Sequence, residues 1–335
     1  MRSDLFQEAK RRIDRRRMNQ QLALSARLEE IREKIPEVIE VRRKLAMTSA
    51  EVSKLILQKN TDIAAGIARI EEVNLDLQAR EKKLLREGGY PEDYLEMRYD
   101  CPLCKDTGFV DGRRCRCLQE EMQRLAVEDL NRSSPLQASR FEDFDLSYYP
   151  DVVDPDTGRN PRVVMERYYR YCKQYADNFR PDSQGIFMYG NTGLGKTHLS
   201  LAIAGVVAAK GYSVAYGTAQ DLLRRIENEH FGRAEDAGTL DTLLSSDLLV
   251  LDDLGAEFTT PFSLSVVYNI LNTRIAASRP MIISSNLSAK EFYDKYAERI
   301  VSRLFTQLVS MQFIGRDVRQ LRRQREVERR KNQGK

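Results

Sequence analysis

The chain has 335 residues, 54 basic and 50 acidic, so its net charge is only +4; 31% of it is charged and 41% hydrophobic. At ~150 residues per domain this length allows two or three domains, and there is enough Leu, Ile and Val for a core, which excludes a disordered chain. No apolar run approaches the ~20 residues of a bilayer span, and MRSDLFQEAKRRIDRRR lacks the apolar stretch of a secretory signal. A cytoplasmic protein with no membrane partner is expected.

Charge is unevenly placed. Residues 1–100 hold 21 basic and 19 acidic side chains, whereas 316–335 hold nine and three, leaving the stretch between them net −4. A nearly neutral total hides a cationic tail.

The first 98 residues read as a helical region. Leu24, Leu28, Ile31 and Ile35 follow helical spacing, and Pro36 ends or kinks that helix. Thr48-Ser-Ala-Glu51 has the pattern of a capping box and predicts a helix start there. Ile56, Ile63, Ile70, Leu77 and Leu84 recur every seven residues, but Asn60, Asn74 and Glu81 fall where a second apolar row belongs. That favours an antiparallel bundle over a long parallel coiled coil. Gly88-Gly89 stops the segment.

Residues 99–130 form the next expected unit. Cys101-x2-Cys104-x10-Cys115-x-Cys117 supplies four thiolates, enough for a closed tetrahedral zinc site of structural type. The tight Cys-x-Cys pair departs from the usual Cys-x2-Cys, and reduced or redox-active thiols are the alternative. Cys172, in MERYYRYCKQY, reads as an ordinary buried or half-buried thiol. A Ser/Pro linker, NRSSPLQAS, opens the segment 131–160 that leads into an α/β core at 161–315, followed by a basic helix or tail at 316–335. Ile186–Tyr189, Leu248–Leu251 and Met281–Ile283 are short apolar runs suited to buried parallel strands, with helical stretches between them.

Gly190-Asn191-Thr192-Gly193-Leu194-Gly195-Lys196-Thr197 matches G-x-x-x-x-G-K-[ST] between a strand and a helix. Glycines there let successive N–H groups turn inward around phosphate oxygens, and the helix N-terminus adds positive potential. Lys196 is placed to reach the β and γ phosphates and Thr197 to hold Mg²⁺; His198 completes the expected nucleotide-binding set. Leu248-Leu-Val-Leu-Asp252-Asp253 delivers two carboxylates from a strand end. Asp252 is the candidate metal-side acid and Asp253 the candidate that orients or deprotonates the attacking water.

GNTGLGKTHLSLAIA, LLVLDDLG, IISSNL, ERIVSRL and GRDVRQ, with FEDFDLSYYP ahead of them, resemble the AAA+ ATPases. Within these they resemble the bacterial replicative helicase loaders of the DnaC/DnaI type. The likeness covers about residues 139–320. It implies an AAA+ P-loop core, a parallel sheet sandwiched by helices with little or no lid domain, preceded by an all-helical domain with a small zinc module. It gives Asn286 the sensor-1 role and Arg303, which shares a helix face with Arg299, that of an arginine finger acting on a neighbouring subunit. Arg319 matches the sensor-2 arginine. DNA-contacting elements of the family correspond to stretches holding Arg224, Arg225, Phe231, Thr260 and Phe262.

The activity implied is ATP-dependent loading of a hexameric replicative DNA helicase onto single-stranded DNA, with self-association through the AAA+ interface. Lys196, Asp252, Asp253, Asn286, Arg303 and Arg319 would be the catalytic set, with ATP, Mg²⁺ and Zn²⁺ as cofactors. Asp253 departs from the Glu common in AAA+ enzymes, which implies slow hydrolysis suited to a switch. An IstB-like transposition helper and a nucleotide-binding zinc scaffold without turnover are the competing readings. An SMC-like structural ATPase is disfavoured because no LSGGQ-type signature is present.

Overall fold

The computed structural model describes residues 2–57, 63–132, 139–155, 157–232, 238–296 and 298–333. Most of the Ser/Pro linker, 133–138, and Asn60 lie outside the described residues. The chain divides into two compact units, Gln7–Gln119 and Met1–Phe6 with Glu120–Lys335.

The smaller unit is built on α1 (Arg2–Lys34), α2 (Pro36–Leu57) and α3 (Ile63–Glu87). The break between α1 and α2 falls at Pro36, whose ring sits in a first turn where its missing N–H costs nothing. Ile31, Val38, Leu85 and Leu95 form its buried cluster. Two polar positions that spoil the heptad face α2: Glu81 pairs with Arg42 at 2.8 Å, and Asn74 accepts from the Thr48 hydroxyl at 2.5 Å. Partners 42 with 81 and 48 with 74 run in opposite order, so α2 and α3 are antiparallel. The helix start expected at Thr48 is not found, since α2 runs through it. The Thr48 hydroxyl turns back instead to the Leu45 carbonyl at 2.8 Å, as a mid-helix threonine can. A two-residue ribbon, β1 (Phe109–Val110) and β2 (Arg113–Arg114), follows; α4 (Arg116–Leu130) begins here and runs from Glu120 on in the larger unit.

In the larger unit two 3-10 turns, Phe141–Asp143 and Leu146–Tyr148, precede α5 (Pro161–Asp177), which Asn160 caps by accepting from the backbone N–H groups of Arg162 and Val163. There follow β3 (Ile186–Tyr189), α6 (Lys196–Ala209), β4 (Val214–Thr218), α7 (Ala219–His230), α8 (Thr239–Ser245), β5 (Leu248–Asp252), α9 (Pro261–Ala276) and β6 (Met281–Ser285). After these come α10 (Ala289–Lys295), α11 (Glu298–Gln307), β7 (Val309–Gln312) and α12 (Val318–Gln333). The five strands β3–β7 form one parallel sheet in the order β4-β5-β6-β3-β7. All five residues of β5 and of β6 are buried, as strands with helices on both faces must be. One core layer gathers Val164, Met165, Ile203 and Val207 from α5 and α6. The other gathers Leu222, Val267, Ile270 and Leu304 from α7, α9 and α11. Among the described residues, only α12 follows β7, and no helix is long and apolar enough to cross a membrane.

Candidate nucleotide site and cysteine centre

The sheet brings the C-terminal ends of β3, β5 and β6 side by side, and the chemistry lies there. After β3 the backbone passes through left-handed conformations at Gly190, Gly193 and Gly195 before entering α6. At Gly190 a Cβ would stand 2.4 Å from the Phe313 carbonyl oxygen, so no other residue fits. Lys196, only 5% exposed, donates to the carbonyls of Gly190 at 2.6 Å and Asn191 at 2.7 Å. Burial pushes its ammonium down to about 8, against the opposing pull of Asp253 and Asp252.

Asp252, also 5% exposed, ends β5. Its carboxylate accepts from Thr197 Oγ1 at 3.0 and 3.1 Å, from the Tyr216 hydroxyl at 3.2 Å and from the Ser284 hydroxyl. Thr197 and Asp252 thus present adjacent oxygens, a donor set that suits Mg²⁺. Asp253 sits at a positive φ of 57°, a strained position for a non-glycine residue. The amide of Asn286, just past β6, donates to Asp253, and the Asp253 N–H donates to Ser284 Oγ at 2.9 Å. Burial, with the Asp252 charge beside it, pushes the Asp253 carboxyl above the usual range.

These groups open on a cavity of about 880 Å³ lined by Thr192 to His198, Asp252, Asp253, Asn286 and Arg319. Its remaining wall was not found from the sequence. Phe144, Tyr148 and Tyr149 come from the 3-10 segment, and Arg322 and Arg325 from α12. Tyr149 donates to the Leu194 carbonyl at 2.9 Å. Arg325 lies 4.3 Å above the Tyr148 ring and donates to Ser147. His198 faces the Arg140 carbonyl at 2.8 Å and lies against Phe144. The aromatic residues of FEDFDLSYYP were a signal for this wall, since a run of rings beside a phosphate loop offers a stacking surface for a base.

Arg303 is not among the residues lining this cavity. It lies with Arg299 in a separate surface hollow, its guanidinium 5.2 Å from the Tyr268 ring centre.

The DNA candidates separate into different surroundings. Arg225 is held by Asp129 at 3.1 Å and by Glu229 at 3.6 Å. Arg224 pairs with Asp221 on an exposed face. Thr260 caps α9 through a reciprocal bond with Ser263. Phe231 and Phe262 come together with His230, ring centres 5.0–5.8 Å apart, and Phe231 is 56% exposed. Phe258, which sequence reasoning missed, is 83% exposed on the loop after Asp253. That loop is fixed behind it by Glu257, which accepts from the Gly255 N–H at 2.7 Å and from the Tyr296 hydroxyl.

In the smaller unit the sulfurs of Cys101, Cys104, Cys115 and Cys117 lie within 4.8 Å of one another and form no disulfide. Cys101 and Cys115 are 3.8 Å apart, Cys104 and Cys117 3.4 Å. Zinc–sulfur bonds of about 2.3 Å make a tetrahedron with edges of ~3.8 Å, so the four fit a zinc ion. Asp106 accepts from the N–H groups of Asp100 and Cys101, and Gly108 N–H points at the Cys104 sulfur at 3.4 Å. Such bonds hold ligand loops in place before metal binds. With four protein ligands no open position is left for catalysis. Cys172 is fully buried, as expected.

A family model described as IstB-like ATP binding protein matches residues 170–326. The replicative helicase loader DnaI of Bacillus subtilis (strain 168) is 25% identical over 267 residues, 72% of this chain and 80% of that protein. The loader DnaC of Escherichia coli (strain K12) is 26% identical over 204 residues, 58% of this chain and 81% of that one. With DnaC of Buchnera aphidicola subsp. Baizongia pistaciae, 28% identical over 134 residues, the chain spans about half (54%) of the relative. Among solved structures, a DnaC helicase loader overlays with a TM-score of 0.45 at 22% identity, over 54% of this chain and 99% of that one. AMPPCP-bound DnaA from Aquifex aeolicus gives 0.40 at 26% identity, over 51% of this chain and 49% of that one.

Proposed function

From a chain that carries an IstB-like ATP-binding domain on an AAA+ core and is homologous to the DnaC/DnaI replicative helicase loaders, we propose an ATP-dependent loader that delivers a hexameric replicative helicase onto single-stranded DNA. The observation that carries the ATPase half is the convergence of Lys196, Thr197, Asp252, Asp253 and Asn286 on one cavity at the ends of three adjacent strands. What supports the loader half is homology to DnaI across 72% of the chain.

Lys196 trades its two loop carbonyls for phosphate oxygens, and nucleotide thereby adds to the counter-charge of Asp253 and Asp252. Thr197 and Asp252 would hold Mg²⁺, which would supply positive charge to the nucleotide's phosphates. Asp253, its carboxyl raised by burial, takes the proton of the attacking water, and Asn286 holds Asp253 in place. Arg319 reaches the nucleotide from α12 of the same chain. Arg303, outside the lining of that cavity, completes the site of a neighbouring copy, so turnover requires self-association. Residues 1–98 and the cysteine module, 99–130 with its zinc, bind the helicase. Phe231, Phe262 and the newly found Phe258 offer stacking faces to single-stranded DNA. Arg224 assists them, whereas Arg225 and Thr260 serve the fold.

The match to an IstB-like model favours a second reading, a transposition helper. Size-exclusion chromatography of the full chain with the cognate hexameric helicase, and separately with a cognate transposase, decides between them. A stable complex with the helicase supports loading. Binding to the transposase alone moves the assignment to the second reading.

A further inference from the structure

β4 is an edge strand of the sheet: β5 pairs with one side, and no strand pairs with the other. Asn131, just past the end of α4, takes the place of a neighbouring strand. Its amide nitrogen donates to the Val214 carbonyl at 2.5 Å, and its amide oxygen accepts from the Tyr216 N–H at 3.0 Å. One side chain thus satisfies two backbone groups two residues apart, the Val214 carbonyl and the Tyr216 N–H, on the edge of β4. The same stretch is fastened twice more, by Gln123 to the Ser245 carbonyl at 2.6 Å and by Asp129 to Arg225.

Tyr216 carries this attachment into the nucleotide site. It is 7% exposed, and its hydroxyl donates to Asp252 Oδ2 at 3.2 Å. Thr218 is the register partner of Asp252, so Tyr216, two residues earlier, stands on the same face of the sheet and reaches the carboxylate diagonally. Asp252 has four lone-pair directions, and the hydroxyls of Thr197, Ser284 and Tyr216 surround it. With the Tyr216 hydroxyl on one oxygen, the carboxylate cannot rotate without losing a charge-assisted bond.

We propose that Tyr216 is a positioning residue for the metal side of the nucleotide site, held in place by Asn131, and that the end of α4 thereby sets the affinity of that site for metal-bound nucleotide. This rests on the reading of Asp252 as the magnesium-side carboxylate. Partners that orient metal ligands are worth about 10–100-fold in metal affinity when removed.

The test titrates a fluorescent ATP analogue against full-length wild type, Tyr216→Phe, Asn131→Ala and the double variant, in EDTA and in Mg²⁺. Both single variants are expected to match the wild type within about twofold in EDTA and to lose about tenfold of the tightening that Mg²⁺ confers. The double variant loses no more than the worse single one, because both act through one connection. A Tyr216→Phe protein with the wild-type response to Mg²⁺ overturns the proposal, as does a loss of equal size in EDTA, which marks a merely structural role. Additive losses overturn the part assigned to Asn131. A wild type that binds no nucleotide at all brings down the ATPase reading itself.

Discussion

Lys196→Met removes a buried charge while keeping most of the side chain's volume, and it separates binding from stability. The ammonium donates to two loop carbonyls. Its folded-state value is lowered from 10.5 to about 8, so at pH 7 the unfolded chain accommodates the charge better than the folded one does. At 1.36 kcal/mol per unit this is a burden of about 3 kcal/mol. Against it stand two hydrogen bonds worth about 1 kcal/mol each, which the variant loses. Ligand-free Lys196→Met is therefore expected to be more stable than wild type at pH 7 by about 1 kcal/mol. The burden is fully present below pH 8 and is relieved as pH rises from 8 toward 10.5, because the folded protein releases its proton first. By pH 9.5 about 2 kcal/mol of the variant's relative stability is gone. Differential scanning calorimetry of both proteins across pH 7 to 9.5 reads this, and nucleotide affinity should fall at least tenfold in the same variant. A Lys196→Met protein less stable than wild type at pH 7, or a difference that does not change with pH, refutes the reasoning.

Three further outcomes follow from the same geometry. Asp253→Glu extends the carboxylate by one methylene toward the water and should raise steady-state ATP turnover about tenfold, within the range of a well-placed general base; equal or slower turnover removes the account of slow switching. Arg303→Ala should leave nucleotide affinity within twofold and lower turnover by at least about 10³. Mixing it with Lys196→Met should restore part of the rate, since each copy then supplies what the other lacks, and no recovery would argue against an arginine acting between copies. Metal analysis of the purified chain should give one zinc per molecule. Cys104→Ser or a strong chelator should then unfold the segment around the four cysteines by circular dichroism and hydrogen exchange, leaving nucleotide binding intact; unchanged exchange there would mean the thiols do not depend on metal.

How much of this was legible depended on whether the chemistry was local. The phosphate loop was, because Gly190, Gly193 and Gly195 encode a backbone path directly. The four cysteines were, because short spacings leave little freedom. Thr48 misled because a threonine hydroxyl can cap a helix start or bond back within one, and only packing decides. Asn74 and Glu81 read as flaws in an apolar row until α2 supplied Thr48 and Arg42 as partners. Nothing in the sequence near Arg225 signals its pairing with Asp129, 96 residues away. Tyr216 carried no signal at all, since its contact with Asp252 exists only through the register of β4 on β5.

In the proposed loader, nucleotide state governs the chain's hold on the replicative helicase. Light scattering coupled to size exclusion, on the full chain with the cognate hexameric helicase in ATP and Mg²⁺, tests it most directly. A defined complex that carries single-stranded DNA and comes apart after hydrolysis, but persists with Asp253→Asn, is the predicted result. No complex with the helicase in any nucleotide state would contradict it.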